Sequence, residues 1–441
     1  MDIKNTIKLK KYIPLFFSSE AILLVGSFIS FPIFTRILTK GDYGLMSLIN
    51  LTITFAVTIG SLGLRHSVHR YFLIYKKKIN SFFSSLILGI LFSGVIISIL
   101  IFLLGLIFYS SSKISSYTFS LILLTIPLIF IKLFNNFKIA FLRIQEQIIK
   151  TSTIEIIIRY LGIILSILFV SIFKNLVGFF LGLIVAEGVI SFFLLTRSDN
   201  KIRLNLFDKS IVKICLLYGF PLMADSIVTY LLSAGDRYII SYFLGNEKVA
   251  EYTVVYNYCE YPFAIVRNAL LYSFMPIIMN LWNSDQVSES KLLLKTYVKI
   301  FSWVTIPIVF GLSAISADGI SLLAGNKYIN FAYLTPIISS GIALTTMNFV
   351  ITSGLIFKKK TMIILMLTAF ATILNIFLNL ILIPKMGLEG AAIATLISYI
   401  VFFTSSFTFS IRELRFSLPF NHVLKAIISS FLMYLFILNM P

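Results

Sequence analysis

The sequence has few charged residues, few cysteines and few histidines, and each scarcity excludes a class of protein. Only 12% of its 441 residues are charged, whereas soluble domains average about 25%. The two cysteines, Cys215 and Cys259, both lie in apolar segments, so no disulfide framework is expected. The three histidines form no zinc-ligand pattern, and no Walker sequence for a nucleotide is present. We therefore expect neither a metal nor a cofactor.

What the chain has in abundance is apolar sequence, which makes up 58% of its residues. A helix needs about 20 apolar residues to cross a hydrocarbon core of about 30 Å. Runs of this length predict an all-α polytopic membrane protein with about twelve transmembrane helices. The predicted spans are 12–37, 44–64, 81–109, 117–138, 152–173, 176–196, 212–244, 249–274, 297–323, 331–357, 362–383 and 387–410.

Basic residues exceed acidic ones by 19, and their placement predicts the orientation of the chain. They gather in every second loop between the predicted spans, which is the pattern of cytoplasmic loops. The N-terminus is therefore predicted to be cytoplasmic. Because the charge lies between apolar runs and not on a soluble face, we expect no nucleic acid partner. The loops predicted to lie outside hold only seven basic residues: Arg36, Lys40, Lys113, Lys174, Lys248, Lys327 and Lys385.

An internal repeat predicts two related halves. Segments 12–48 and 218–256 both begin with Tyr and Pro, continue as an apolar helix, and turn through a Gly-containing charged loop into Tyr43 or Tyr252. Six predicted helices separate the copies, so both should have the same orientation in the membrane. The predicted domains are an N-lobe at 1–196, a cytoplasmic linker at 197–211, a C-lobe at 212–410 and a C-terminal segment at 411–441. Within that last segment, 426–440 is either a short thirteenth span or an interfacial helix.

Several predicted spans carry polar residues at helical spacing, which indicates a wet interior. The second span carries Asn50, Thr54, Thr58, Ser61 and Arg65, and the seventh carries Asp225, Thr229, Ser233, Asp236 and Arg237. Basic side chains at mid-membrane are costly unless they face a protein interior or an interface. Those within spans are Lys132, Arg159, Arg237 and Arg267. The spacing of four between Glu155 and Arg159 also permits an ion pair on one helix face.

The chain resembles the Wzx-type polysaccharide export flippases, of the superfamily that includes multidrug extruders and the lipid II flippase. The resemblance lies in "RILTKGDYGLMSL" (36–48), "FKIAFLRIQEQIIKTSTIEIIIRYLGIILSILFV" (137–170) and "DRYIISYFLGNEKVAEYTVVYN" (236–257). It implies two pseudo-symmetric six-helix lobes around a V-shaped central cavity in the bacterial inner membrane. It also implies alternating access that moves a polyprenyl-diphosphate-linked oligosaccharide to the outer leaflet, without an enzymatic step, for surface polysaccharide such as O-antigen or capsule.

Such flippases are expected to line the cavity with cations that accept the diphosphate. The candidates for substrate translocation here are Arg36, Lys132, Arg159, Asp236, Arg237 and Arg267, where Asp236 would hold the neighbouring arginine when the cavity is empty. The candidates for proton or sodium coupling are Glu20, Asp225 and Glu260. Candidate partners are the lipid-linked oligosaccharide, membrane lipids, and polysaccharide-assembly proteins such as a polymerase.

Two other functions are compatible with the residues. A multidrug extruder of the same fold would favour acids in its cavity, and Glu20 and Asp225 keep this alternative open. A membrane glycan polymerase would need acid and base groups on a sizeable outer loop, and the predicted outer loops, such as 173–175 and 245–249, are short.

Overall fold

The computed structural model describes residues 3–112, 114–197, 202–414 and 419–439, with side chains from residue 18 onward. Every regular element in these ranges is helical. The α-helices are α1 (Ile3–Ile37), α2 (Lys40–Gly60), α3 (Leu64–Tyr71), α4 (Ile79–Ser110), α5 (Ser116–Ile144), α6 (Ile148–Phe173), α7 (Leu176–Thr196), α8 (Lys209–Ala234), α9 (Asp236–Leu244), α10 (Asn246–Asn283), α11 (Val287–Ala314), α12 (Ser316–Ala324), α13 (Thr335–Ile351), α14 (Ser353–Phe357), α15 (Thr361–Met386), α16 (Leu388–Leu414) and α17 (Phe420–Leu438).

Within the described ranges, thirteen helical segments are long and apolar enough to cross a membrane. Twelve of them correspond to the predicted spans, and the thirteenth is α17, in the C-terminal segment, which is long enough to span. Whether α17 crosses the membrane or lies at its interface stays a prediction. Three predicted spans are interrupted at positions that we did not predict. The seventh breaks at Gly235, the ninth at Ile315, and the tenth begins as a 3₁₀ helix and breaks at Thr352.

The chain forms two compact units. Unit 1 contains residues 1–26 and 46–230, and unit 2 contains residues 27–45 and 231–441. Helices α1, α2 and α8 are each divided between the units, whereas the lobes predicted from the sequence meet in the linker at 197–211. The division therefore falls inside helices, and the lobe boundaries stay a prediction.

Unit 1 is held together by aromatic packing and by close approaches of backbones, of which one joins α3 to α8. Phe83 contacts Phe141 edge to face, with ring centroids 4.9 Å apart, where α4 packs on α5. Gly63 adopts a left-handed conformation with φ of 69°. A Cβ at Gly63 would collide with the carbonyl of Gly219 on α8, so α3 and α8 meet only because both positions are glycine. Ser67 donates to the carbonyl of Cys215 at 2.6 Å and closes the same contact.

Unit 2 has its own buried core, in which Tyr297 and Phe301 of α11 pack with Ile278, Val350 and Leu414. The start of α2 packs closely on the start of α10, where a Cβ at Gly44 would collide with the carbonyl of Asn246. Helix α17 packs on α11, with Phe310 edge to face against Phe431.

Candidate functional site

Lys132, one of the predicted translocation residues, pairs with an acid in the structure. Its Nζ lies 2.7 Å from Oε1 of Glu187, which is only 4% exposed. Asn135 donates to Oε2 of the same carboxylate at 2.7 Å, and Ser191 donates to Asn135. These contacts join α5 to α7 inside unit 1. Lys132 therefore belongs to a hydrogen-bonded network between α5 and α7, and its role in translocation stays a prediction.

Asp236 and Arg237 form a second enclosed pair, in unit 2. The side chains lie 3.5 Å apart, with Asp236 2% and Arg237 5% exposed. Arg237 also donates to Oγ1 of Thr253 at 3.3 Å, and its guanidinium lies 4.6 Å from the ring centroid of Tyr256. Thr395 donates to Asp236 at 3.4 Å. A guanidinium enclosed in this way is not presented to a ligand in this conformation.

The other predicted cations, Arg267, Arg36 and Arg159, either pair with an acid or are exposed. Arg267 forms an ion pair with Glu260 at 2.9 Å, so this predicted coupling acid is also paired. Arg36 is exposed and donates to the carbonyl of Leu322 at 2.6 Å. Arg159 is exposed, and its aliphatic part lies beside Gly26. The prediction of an ion pair between Glu155 and Arg159 was wrong, because Glu155 pairs with Arg143 at 2.6 Å.

The two other predicted coupling acids are accessible. Glu20 and Asp225 are both half-buried, on α1 and α8 of unit 1. Glu20 lies close enough to Glu155 for the two carboxylates to interact electrostatically. The geometry is compatible with ion coupling at either residue, which stays a prediction.

The strongest candidate site is a pair of adjoining polar cavities inside unit 1, of about 280 Å³ and about 130 Å³. Both are lined by Arg65, His66 and Asn136. The larger cavity is lined mainly by hydroxyl, amide and aromatic side chains from α2, α5 and α8, and the smaller mainly by charged and imidazole groups from α3, α5 and α6. The further polar lining residues of the larger cavity are Thr54, Thr58, Ser61, Ser226 and Tyr230, and those of the smaller are His69, Arg143 and Glu155.

Local folding explains how these groups reach the cavities. Thr58 and Ser61 donate to carbonyls of their own helix end, at 2.8 Å each, which leaves their oxygens facing the larger cavity as acceptors. The left-handed turn at Gly63 ends the α2 stripe and starts α3, which carries Arg65 and His66 beside the cavity. Arg143 arrives from the last turn of α5.

Arg65 and Arg143 give the smaller cavity a positive charge. Partial desolvation and the nearby Arg143 guanidinium lower the pKa of Arg65, while the Glu155 carboxylate opposes that effect. An arginine begins from a pKa above 12, so Arg65 stays charged at neutral pH. Two guanidinium groups facing one carboxylate leave a net positive charge, and guanidinium forks suit the oxygens of phosphate.

The two histidines of the smaller cavity are neutral at pH 7. Burial, followed by the charge of Arg65, lowers the pKa of His66. Burial, followed by the charges of Arg143 and Arg65, lowers the pKa of His69. A neutral imidazole both donates and accepts a hydrogen bond, so these rings offer contacts to phosphate oxygens or to sugar hydroxyls.

From the sequence, Arg65 and Arg143 are both expected in cytoplasmic loops, and neither is among the predicted site residues. The signal that pointed to Arg65 was the polar stripe of the second span, from Asn50 to Arg65. In the structure Thr54, Thr58, Ser61 and Arg65 of that stripe line the larger cavity. No pattern along the chain pointed to Arg143, because its place in the site depends on how α5 packs beside α3 and α6.

A protein-family model described as "polysaccharide biosynthesis protein" matches residues 33–333, more than half of the chain. A membrane protein of the cps region of Klebsiella pneumoniae is 23% identical over 96% of this chain and 88% of its own length. The probable low-salt glycan biosynthesis flippase of Haloferax volcanii is 22% identical over 41% of this chain and 38% of its own. A membrane protein of Methanocaldococcus jannaschii is 27% identical over 44% of this chain. The match spans only 39% of the length of that relative.

Solved transporter structures share the fold. The lipid II flippase MurJ in an inward closed conformation matches with a TM-score of 0.76 at 17% identity, over 97% of this chain and 93% of its own. An inward-facing multidrug transporter of the MATE family and the MOP superfamily matches with a TM-score of 0.70 at 15% identity, over 89% of this chain and 93% of its own. The fold is thus that of a MOP-superfamily transporter. From the extent of the family match, this multi-pass membrane protein belongs to the polysaccharide biosynthesis protein family.

Proposed function

We propose that this protein moves a polyprenyl-diphosphate-linked oligosaccharide from the cytoplasmic to the outer leaflet of the bacterial inner membrane by alternating access. The N-terminus lies in the cytoplasm, and the product serves the assembly of a surface polysaccharide such as O-antigen or capsule. The protein acts as a transporter and catalyses no reaction. The family match and the named glycan flippase among its relatives support this assignment.

The observation that carries the proposal is the convergence of Arg65 and Arg143 on a polar cavity in unit 1. A diphosphate carries two or more negative charges that must leave bulk water, and fixed guanidinium groups replace part of its hydration. The larger cavity offers Thr54, Thr58 and Tyr230, which suit sugar hydroxyls and a sugar ring face. The arrangement therefore supports a diphosphate subsite beside a sugar subsite.

Glu155 gives the empty site a counter-charge. It accepts from Arg143 at 2.6 Å, with both side chains about one-third exposed. In the proposed cycle the diphosphate replaces Glu155 as the partner of Arg143, and the carboxylate takes it back when the lipid leaves. From the sequence, this role was predicted for Asp236. We assign it to Glu155 instead, because Glu155 lines the smaller cavity.

Export in cells tests the assignment. We expect Arg65→Gln and Arg143→Gln together to reduce surface glycan at least tenfold in a deletion strain, since each charged hydrogen bond contributes about 1.5–3 kcal/mol. Lipid-linked sugar should accumulate in the inner leaflet at normal protein level. Arg70→Gln is the matched control, because Arg70 lies on the same helix α3 and lines neither cavity. Normal export by the double variant would overturn the assignment.

A multidrug extruder of the same fold is the second candidate. The half-buried carboxylates of Glu20 and Asp225 favour it, since acids suit cationic drugs. It predicts a change in drug susceptibility on expression and normal surface glycan after deletion, the opposite of the outcome expected above.

A further inference from the structure

Four of the seven basic residues predicted to lie on the outer side of the membrane converge at one place in unit 2. They are Arg36, Lys40, Lys248 and Lys327, and with Glu251 we call them the outer basic cluster. The positive-inside rule makes cations scarce on this side, so their gathering at one point is unexpected. The start of α2, the start of α10 and the 3₁₀ segment Asn326–Leu334 supply Lys40, Lys248 and Lys327.

Contacts through Glu251 and Tyr328 link Lys40, Lys248 and Lys327, whereas Arg36 is brought beside them by the chain, four residues before Lys40. Glu251 is 4% exposed and accepts from Lys40 at 2.5 Å and from Lys248 at 2.8 Å. Lys327 donates to the carbonyl of Leu38 at 2.8 Å, in the turn between Arg36 and Lys40. Lys40 and Lys327 lie on the Tyr328 ring, with Nζ 5.8 Å and 5.3 Å from its centroid.

These contacts use only part of the donor capacity of the cluster. Each lysine ammonium has three N–H donors, and the described contacts give Lys40, Lys248 and Lys327 one acceptor each. Arg36 and Lys327 are exposed, and each donates to a backbone carbonyl. Among the residues that the structure describes, no acid forms an ion pair with either of them. The acids nearby at these helix starts are Asp42, which accepts from Thr39, and Glu247.

Two exposed tyrosines lie on α9 and on the 3₁₀ segment that carries Lys327. Tyr242 at the end of α9 is 83% exposed, and Tyr333 in the 3₁₀ segment is 52% exposed. Tyrosines with this exposure mark the interface between hydrocarbon and headgroups. Spare ammonium and guanidinium donors at this depth meet the phosphate groups of lipids.

We propose that the outer basic cluster is a phosphate-binding site for lipid headgroups of the outer leaflet. Arg36 and Lys327 bind the phosphate oxygens directly, and Lys40 and Lys248 add positive charge while Glu251 holds them in place. Two sources have this chemistry: an anionic phospholipid and a polyprenyl diphosphate. The cluster shares no residue with the two cavities in unit 1, and binding of an anionic phospholipid there does not depend on the proposed function.

The test measures ligand retention by the purified full-length chain, using native mass spectrometry. Both arms use the Arg65→Gln/Arg143→Gln background, so that binding in the unit 1 cavity does not contribute. The probes are short-chain phosphatidylglycerol and farnesyl diphosphate. The cluster variant is Arg36→Gln/Lys327→Gln, in which glutamine keeps a donor for the two carbonyls. The matched control is Lys174→Gln/Lys385→Gln, which removes two exposed charges from other loops predicted to lie outside.

We expect the cluster variant to retain about tenfold less of at least one probe than the control, since each basic group near a lipid surface contributes measurably to binding. Loss of phosphatidylglycerol alone identifies a phospholipid site, and loss of farnesyl diphosphate alone identifies a site for the transported headgroup. Lys327→Gln alone, with elution as a single species, guards against misfolding. Equal retention of both probes by the cluster and control variants would overturn the proposal.

Discussion

At the scale of single residues, the buried pair of Asp236 and Arg237 shows that a buried charge needs a partner of opposite charge. Asp236 and Arg237 are enclosed together by Thr253, Tyr256 and Thr395. Removing one member of such a pair leaves an uncompensated charge, whereas removing both charges is often tolerated. Their position in an apolar run is explained by this mutual neutralisation.

Arg237→Ala is therefore expected to lower the free energy of unfolding by about 3–5 kcal/mol and to reduce protein level. Asp236→Asn/Arg237→Met, which removes both charges, should lose less. Thermal unfolding in detergent measures both variants. If Arg237→Ala kept wild-type stability but abolished export, Arg237 would be a substrate ligand and the enclosed structural role would be wrong.

His66 and His69 make stability depend on pH. Their pKa values in the folded chain are lowered from about 6.5, mainly by burial and then by neighbouring positive charge. As the pH falls through about 6.5, the unfolded chain binds protons first, so the stability present above that pH is progressively lost. His66→Gln/His69→Gln should show a smaller drop in melting temperature between pH 7.5 and pH 5 than Arg70→Gln. Identical pH profiles for the two variants would refute this assignment.

At the scale of helices, the sequence predicted which transmembrane helices exist, and in what order, better than it predicted where they end or break. Apolar length alone located the spans, because a helix in lipid must satisfy its own backbone. The stripe from Thr54 to Arg65 was read correctly as facing a polar interior, since helical spacing places those residues on one face. The breaks at Ile315 and Thr352 were not predicted, because neither residue is a glycine or a proline.

The sequence did not predict the acidic partners of Lys132 and Arg267, and the role of these cations in translocation stays a prediction. A sequence shows that a charge lies within a span, and it does not show which helix brings the opposite charge. Glu187 reaches Lys132 from 55 residues away. Arg143 was missed because a residue at a helix end looks like a loop residue until the neighbouring helices are in place.

The glycine contact between α3 and α8 gives a prediction at this scale. Gly63→Ala should lower the free energy of unfolding by at least about 1 kcal/mol, because it forces a left-handed conformation on alanine and collides with Gly219. Gly188→Ala is the control, since a Cβ at that α7 position meets nothing within 4 Å. It should be neutral or stabilising by up to about 1 kcal/mol. Equal stability of the two variants, by thermal unfolding, would contradict the close contact.

At the scale of the whole molecule, the fold and the family could be predicted from sequence more fully than the domain division. Hydropathy and the three resembling segments were sufficient for the membrane class and the family, which the match to residues 33–333 confirms. The two units divide α1, α2 and α8 at residues 26, 45 and 230. Loop composition does not reveal such a division, because the halves of one continuous helix differ only in what they pack against.

The central claim is that this chain flips a lipid-linked oligosaccharide through a site built on Arg65 and Arg143. The most direct measurement is the transbilayer movement of a polyprenyl-diphosphate oligosaccharide in proteoliposomes containing the purified protein. Wild type and Arg70→Gln should move the lipid at similar rates, and Arg65→Gln/Arg143→Gln should be at least tenfold slower. Movement at the wild-type rate by the double variant, or no movement above protein-free liposomes by the wild type, would contradict the account.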